Sequence, residues 1–242
     1  MILIPAIDIK DKKCVRLYKG DFNKKKIYSD SPKDIALKWE SYGASLIHLV
    51  DLDGALDGKS SNYDVIKDIS SSVKCDLQIG GGIRNIETID SYLKLGIKRV
   101  ILGTSAFKDP NFLKEALKKY PHNISVGLDI KEGKVAIQGW NQKMQVTLKD
   151  ALAKLPKELS LIILTSVDRD GTLEGFNIDL VNEYLKYSSI PLVVSGGVRS
   201  EDDLKIIKNM ENEKIFGVIL GKSLYEEKLN LKKCILIYQD AS

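Results

Sequence analysis

Eight short apolar runs separated by helical patterns, a length of 242 residues, and segments that repeat at near half-length spacing predict a (βα)8 barrel, the TIM-barrel class of α/β fold. The repeats are specific. Asp8-Ile9-Lys10 returns as Asp129-Ile130-Lys131, Gly81-Gly82-Ile83-Arg84 as Gly196-Gly197-Val198-Arg199, and Val100-Ile101-Leu102-Gly103 as Val218-Ile219-Leu220-Gly221, at offsets of 121, 115 and 118 residues. A closed ring of eight strands divides into two halves of four. The chain is therefore read as one domain over residues 1–242, built from two homologous half-barrels of about 1–120 and 121–242. An open doubly wound sheet is the alternative, and the half-length repeat argues against it.

The strands are expected at Ile2–Ile7, Ser45–Val50, Lys74–Ile79, Arg99–Leu102, Ile124–Leu128, Leu161–Leu164, Leu192–Ser195 and Phe216–Leu220. Several are continuously apolar, as in Leu161-Ile162-Ile163-Leu164, which marks strands buried on both faces under covering helices. Helix signals lie between them. Ser31-Pro32 opens one that carries Ile35, Ala36 and Trp39 at helical spacing and closes at Gly43. Asn85 begins another that closes at Gly96; Asp109-Pro110 and Asn177 begin two more, and Ser200 with Glu201, Asp202 and Asp203 places acids on a first turn, where the helix dipole favours them.

Hydrophobic content of 43% and charged content of 29% describe a globular chain with ample core. No run approaches the ~20 apolar residues of a membrane span, and the N-terminal Met1–Pro5 lacks signal-peptide character. The expectation is a cytoplasmic protein. Cys14, Cys75 and Cys234 are scattered, and with only His48 and His122 besides, no zinc cluster is expected. A net charge of +4 spread over many lysines reads as a solvated surface that favours anionic substrates, with no nucleic-acid partner and no obligate protein partner expected.

In a barrel of this class the chemistry sits at the C-terminal ends of the strands. Asp8 is expected to end strand 1 and Asp129 strand 5, opposite each other in the ring, as a candidate acid–base pair. A strand-end aspartate often only caps a loop; its appearance in both halves favours function. Gly81 and Gly82 follow strand 3, Gly103 and Thr104 strand 4, Gly196 and Gly197 strand 7, and Gly221 and Lys222 strand 8. Glycines let backbone N–H groups approach an anion closely, so these turns read as two phosphate cradles on opposite sides of the mouth. The implied ligand is a small molecule phosphorylated at both ends. Neither G-x-G-x-x-G nor G-x-x-x-x-G-K-[ST] occurs, which argues against nicotinamide and ATP.

Thr165, the Asp168–Thr172 loop, and Asp51 with Asp53 are further polar groups at strand ends, equally readable as turn formers. His48 is either a hydrogen-bonded core residue or a site residue. Trp140 is either packing or a platform for a flat heterocycle.

Taken together, Ile4-Pro5-Ala6-Ile7-Asp8, Val15-Arg16-Leu17, His48-Leu49-Val50-Asp51-Leu52-Asp53-Gly54-Ala55, Gln78–Arg84, Gly139-Trp140, Arg169–Leu173 and Gly221–Tyr225 resemble the histidine-biosynthesis isomerases that act on phosphoribosylformimino-5-aminoimidazole carboxamide ribonucleotide. The resemblance covers essentially the whole chain. It departs from the family at Lys12 and Lys19, both in the first loop.

The resemblance implies an aldose-to-ketose Amadori rearrangement without metal or redox cofactor. Asp8 would be the general base at C2′ and Asp129 the general acid at the ring oxygen. Asp170 is a second candidate for the acid. Thr165 would hold the acid or substrate, with His48, Arg84 and Trp140 as secondary substrate residues and the glycine turns clamping the phosphates. Holding one aspartate half protonated near neutrality requires a rise of ~3 units, about 4 kcal/mol.

The sister barrel of the same pathway, a cyclase, is the nearest rival. It starts with Cys-Leu-Asp where this chain has Ala6-Ile7-Asp8, and it lacks the Val-Asp-Leu-Asp-Gly-Ala segment. Additional activity on phosphoribosyl anthranilate is left open, as is a catalytically silent phosphosugar-binding barrel.

Overall fold

In the computed structural model, which describes residues 1–58, 61–137, 142–143 and 146–240, the apolar runs form eight parallel strands that close into a ring. The barrel strands are, in order, Ile2–Lys10, Leu46–Asp51, Asp76–Gly80, Arg99–Leu102, Ile124–Lys131, Ile162–Ser166, Leu192–Ser195 and Ile215–Leu220. Each pairs in parallel with its chain neighbour, and barrel strand 8 pairs back onto barrel strand 1.

Alternation within each strand sorts side chains into two cores. Ile4, Ala6, Leu46, Ile101, Leu161, Ile163, Val193 and Ile219 fill the inside of the ring. Residues of the opposite parity, such as Leu3, Ile7, Leu49, Ile79, Val100 and Leu164, pack outward against helix residues including Trp39, Ile69, Tyr184 and Ile207. Both faces are dry, which is why the strands read as continuous apolar runs. It also pins the register: a slip of one residue would carry Asp8 from the inner face into the helix layer.

The helix starts follow the expected caps. Ser31 accepts from Asp34 N at 3.3 Å, Asn85 from Thr88 N at 2.8 Å, Asp109 from Phe112 N at 3.0 Å and Asn177 from Leu180 N at 3.1 Å. Each satisfies an amide that the first helical turn leaves unpaired, worth about 1 kcal/mol.

Barrel strand 1 differs from expectation. It runs on to Lys10 and folds back through Lys13–Tyr18 and Asp21–Ser29 as an antiparallel hairpin. Barrel strand 5 does the same through Lys134–Ile137 and Gln142–Lys143. Alternation in these segments is broken by lysines and by turns such as Asp11-Lys12 at φ +51° and +62°, so their strand character is weak in the sequence. Asp8 and Asp129 accordingly lie within long strands rather than at strand ends. Among the described residues, no helix is long and apolar enough to cross a membrane.

Candidate active site

At the C-terminal mouth of the ring lies a cavity of about 750 Å³, whose lining includes Asp8, His48, Asp129, Thr165 and Asp170. Asp8 is level with Val50 of barrel strand 2. Asp129 is level with Thr165 of barrel strand 6, which is in turn level with Ser195 of barrel strand 7. The parallel registers thus carry all these polar groups to one end, above the apolar plug.

The hairpin after barrel strand 1 adds a residue whose role the sequence does not reveal. Asp8 pairs with Val15, and the next residue, Arg16, donates from Nη1 to Asp8 Oδ1 at 2.7 Å. Arg16 is 8% exposed and the Asp8 side chain 14%, so this ion pair is largely out of water. Burial raises the Asp8 carboxyl from its ordinary value to about 6; Arg16 opposes that rise and Asp170 adds to it. Burial likewise raises Asp170, against the pull of Arg16 and Lys222. Burial disfavours the Arg16 charge, but Asp8 and Asp170 more than compensate and keep it protonated. One guanidinium therefore serves two carboxylates, and Asp8 is poised to exchange a proton near neutrality.

The glycine turns divide between two spaces. Gly81, Gly82, Gly103 and Thr104 line the large cavity. Gly196, Gly197, Gly221 and Lys222 line an adjoining recess of about 20 Å³, which shares Arg16, Asp170 and Ser195 with the cavity. Glycine is required at Gly82 (φ +69°), where a Cβ would run into the carbonyl of Gly54. It is equally required at Gly197 (φ +95°), where a Cβ would meet the carbonyl of Gly175. The same close approach therefore occurs at matched places in both halves. Lys222 Nζ donates to the Gly171 carbonyl at 2.8 Å, which ties the end of barrel strand 8 to the loop carrying Asp170.

Other polar residues at the strand ends hold turns and loops. Asp51 is fully buried and accepts from Gly54 N at 3.0 Å and Asn62 Nδ2 at 2.7 Å. Asp53 accepts from Asp11 N at 2.7 Å and Lys10 Nζ at 2.8 Å, holding the turn after barrel strand 1. Asp168 does the same after barrel strand 5, accepting from Glu132 N at 2.7 Å. Arg84 lines the cavity and donates to the Ala55 carbonyl at 3.2 Å, bracing the loop after barrel strand 2. Trp140 lies outside the described residues.

Arg16 enters the sequence reading only within Val15-Arg16-Leu17, with no role of its own; its pairing with Asp8 becomes visible once the hairpin is recognised. The hairpin is itself anchored on the second half: Lys19 N donates to the Asp170 carbonyl at 3.1 Å, and Cys14 Sγ donates to Tyr225 Oη at 3.2 Å.

A closed (βα)8 ring with buried carboxylates at its C-terminal mouth and a pair of glycine turns in each half makes this a TIM-barrel protein with a polar cleft where such barrels carry their chemistry. Residues 2–230 match the family model described as histidine biosynthesis protein, and the chain belongs to that family. It is 46% identical over 237 residues to a protein of Acetivibrio thermocellus named 1-(5-phosphoribosyl)-5-((5-phosphoribosylamino)methylideneamino) imidazole-4-carboxamide isomerase, covering 97% of this chain and 98% of that one. A Thermoanaerobacter pseudethanolicus protein of the same name is 46% identical with the same coverage. One from Clostridium acetobutylicum is 42% identical over 241 residues, covering 99% of each chain.

Proposed function

We propose that this protein is an intramolecular oxidoreductase that converts the N-linked phosphoribosyl aldose of phosphoribosylformimino-5-aminoimidazole carboxamide ribonucleotide into the phosphoribulosyl ketose in histidine biosynthesis, acting in the cytoplasm. The whole-length likeness to isomerases of that name supports the substrate. The observation that carries the mechanism is Asp8: a carboxylate with its pKa near 6, buried against Arg16, at the mouth of a cavity shared with Asp129 and Asp170.

In this reading the general acid, Asp129 with Asp170 as the alternative, protonates the furanose ring oxygen. The ring opens to an iminium at C1′, and Asp8 then removes the proton from C2′. The resulting enolamine gains a proton at C1′ and loses the one on the 2′ oxygen, leaving a ketone at C2′. In sum the bond from C1′ to the ring oxygen breaks, one proton passes from C2′ to C1′ and one from the 2′ hydroxyl to the former ring oxygen, with no net oxidation. Thr165, level with Asp129, steadies that side of the site, and Arg84 and Trp140 complete the substrate contacts. The glycine turns hold a phosphate at each end, one in the main cavity and one in the recess. Their matched geometry also supports descent of both halves from a single half-barrel.

The test is an assay of purified protein with the aminoaldose substrate in the absence of ammonia. Ketose formation supports the isomerase, whereas no turnover without ammonia and ring closure with it would favour the cyclase. Asp8→Asn and Asp129→Asn are each expected to bind substrate yet lose turnover by at least about several hundredfold. Sulfate soaked into crystals is expected at both glycine turns; occupancy at only one would remove the two-phosphate reading.

A further inference from the structure

One column of polar side chains runs through the apolar interior of the ring, across barrel strands 4, 3 and 2. Arg99 is level with Gln78, and Gln78 with His48, in the parallel registers of these strands. Arg99 Nη1 donates to Gln78 Oε1 at 3.0 Å, and Gln78 Nε2 meets His48 Nδ1 at 3.1 Å. Gln78 is fully buried, so no bulk water is at hand to replace either partner.

The chemistry of the three groups gives this chain a direction. A guanidinium only donates, so the carbonyl end of the Gln78 amide must face Arg99 and the NH2 end must face His48. An amide NH2 also only donates, so Nδ1 must be the unprotonated nitrogen of the ring. A neutral imidazole then carries its proton on Nε2. Turning the amide over would oppose the donors of Gln78 and Arg99. Protonating Nδ1 would oppose the donors of Gln78 and His48. Burial, with the nearby Arg16 charge, also pushes the His48 pKa down to about 3, so the ring is neutral near pH 7. His48 lines the large cavity one inner-face step below Asp8, and its Nε2 has no hydrogen-bond partner among the described residues.

We propose that Arg99 and Gln78 are positioning residues that lock His48 as the neutral Nε2-protonated tautomer, so that it offers a hydrogen-bond donor to a hydroxyl oxygen of the sugar bound in the cavity. This rests on the isomerase reading for the identity of the sugar, but not for the tautomer. The lock has a chemical purpose. The other neutral tautomer would present a lone pair instead of a donor, and an imidazolium beside Asp8 would favour the carboxylate and weaken it as a base.

Nitrogen NMR of the isotope-labelled full chain tests this directly, because there are only two histidines and the exposed His122 can be removed by His122→Ala. The expected wild-type result is an unprotonated Nδ1 and a protonated Nε2, unchanged between about pH 5 and 8. A protonated Nδ1, or titration within that range, would overturn the proposal.

Gln78→Glu keeps the bond to Arg99 but turns the relay around, since a carboxylate accepts from both sides. It is expected to bring a proton onto Nδ1 and to lower kcat by about 10- to 100-fold. Arg99→Lys retains a pure donor and is expected to keep the wild-type tautomer. Unchanged ring protonation in Gln78→Glu would count against the relay; if that variant fails to fold, the wild-type spectrum decides alone. Isomerase turnover alongside a protonated Nδ1 would overturn the relay and spare the functional reading. The expected tautomer in a protein without turnover would do the reverse.

Discussion

Replacing Arg16 by Met isolates the charge that holds Asp8 near neutrality. The guanidinium nitrogen lies 2.7 Å from the Asp8 oxygen, and both side chains are largely buried. At an effective dielectric of about 20, unit charges ~4 Å apart attract by about 4 kcal/mol, a ceiling of roughly 3 pKa units. Opposite charges at such range commonly shift a carboxylate by about 1–3 units. Arg16 lowers the Asp8 pKa, so its loss must raise it further above about 6. A base must be ionised to act, and the acid limb of kcat/KM against pH reports the free protein. For the wild type that limb is expected to have its midpoint near 6. In Arg16→Met it should move up by about 1–3 pH units, with a loss of about 2- to 100-fold at pH 7 that recovers on the alkaline side. Arg16→Lys keeps the charge and should keep the midpoint. Direct contact of Arg16 with substrate would lower the whole curve without moving it, so the midpoint is the quantity to read. A midpoint that stays in place or falls in Arg16→Met would show that Arg16 does not set the proton affinity of Asp8.

Stability follows the same proton. The folded-state pKa of Asp8 is raised from 3.8 to about 6, so the folded protein holds this proton more tightly than the unfolded chain, and ionisation costs stability as pH rises from about 4 to 6. Asp8→Asn should therefore raise Tm at pH 7, by an amount equivalent to about 1–3 kcal/mol, and gain nothing at pH 4 or below; melts showing the same shift at both pH values would contradict this. Gly82→Ala and Gly197→Ala each force a side chain onto a neighbouring carbonyl at positive φ, and should each cost about 2 kcal/mol or more in denaturant melts. A neutral result at either position would mean that its turn relaxes freely. Asn62→Ala removes a bridge between Asp51 and Asp53 and leaves the buried Asp51 short of a donor, which should cost about 1–3 kcal/mol by the same measurement. A loss of turnover without a loss of stability would instead give Asn62 a role in the site.

The parts of the fold that were legible in the sequence are those set by local rules. Helix starts at Ser31, Asn85, Asp109 and Asn177 follow from side chains that can accept an amide two or three residues on. The glycine turns are readable because an L side chain at Gly82 or Gly197 would be strained whatever surrounds it. The hairpins after barrel strands 1 and 5 were not legible, because lysines break their alternation, and the first is also held to the opposite half by the Lys19–Asp170 backbone bond, which no local pattern announces. Asp51, Asp53 and Asp168 were ambiguous for a related reason: an aspartate at a turn looks the same in the sequence whether it faces a ligand or an amide such as Asp11 N or Glu132 N.

Periodicity, caps and the half-length repeat were enough to specify a ring of eight strands and to send Asp8 and Asp129 to the same end of it, because strand parity and direction are local properties that accumulate along the chain. Ring closure decided the rest. It set Arg16 between Asp8 and Asp170, whose positions differ by more than half the chain, and it aligned Arg99, Gln78 and His48 from three separate strands. Proton affinity and tautomer depend on distance and burial in space. Neither quantity exists along a one-dimensional chain until its distant parts are brought into contact.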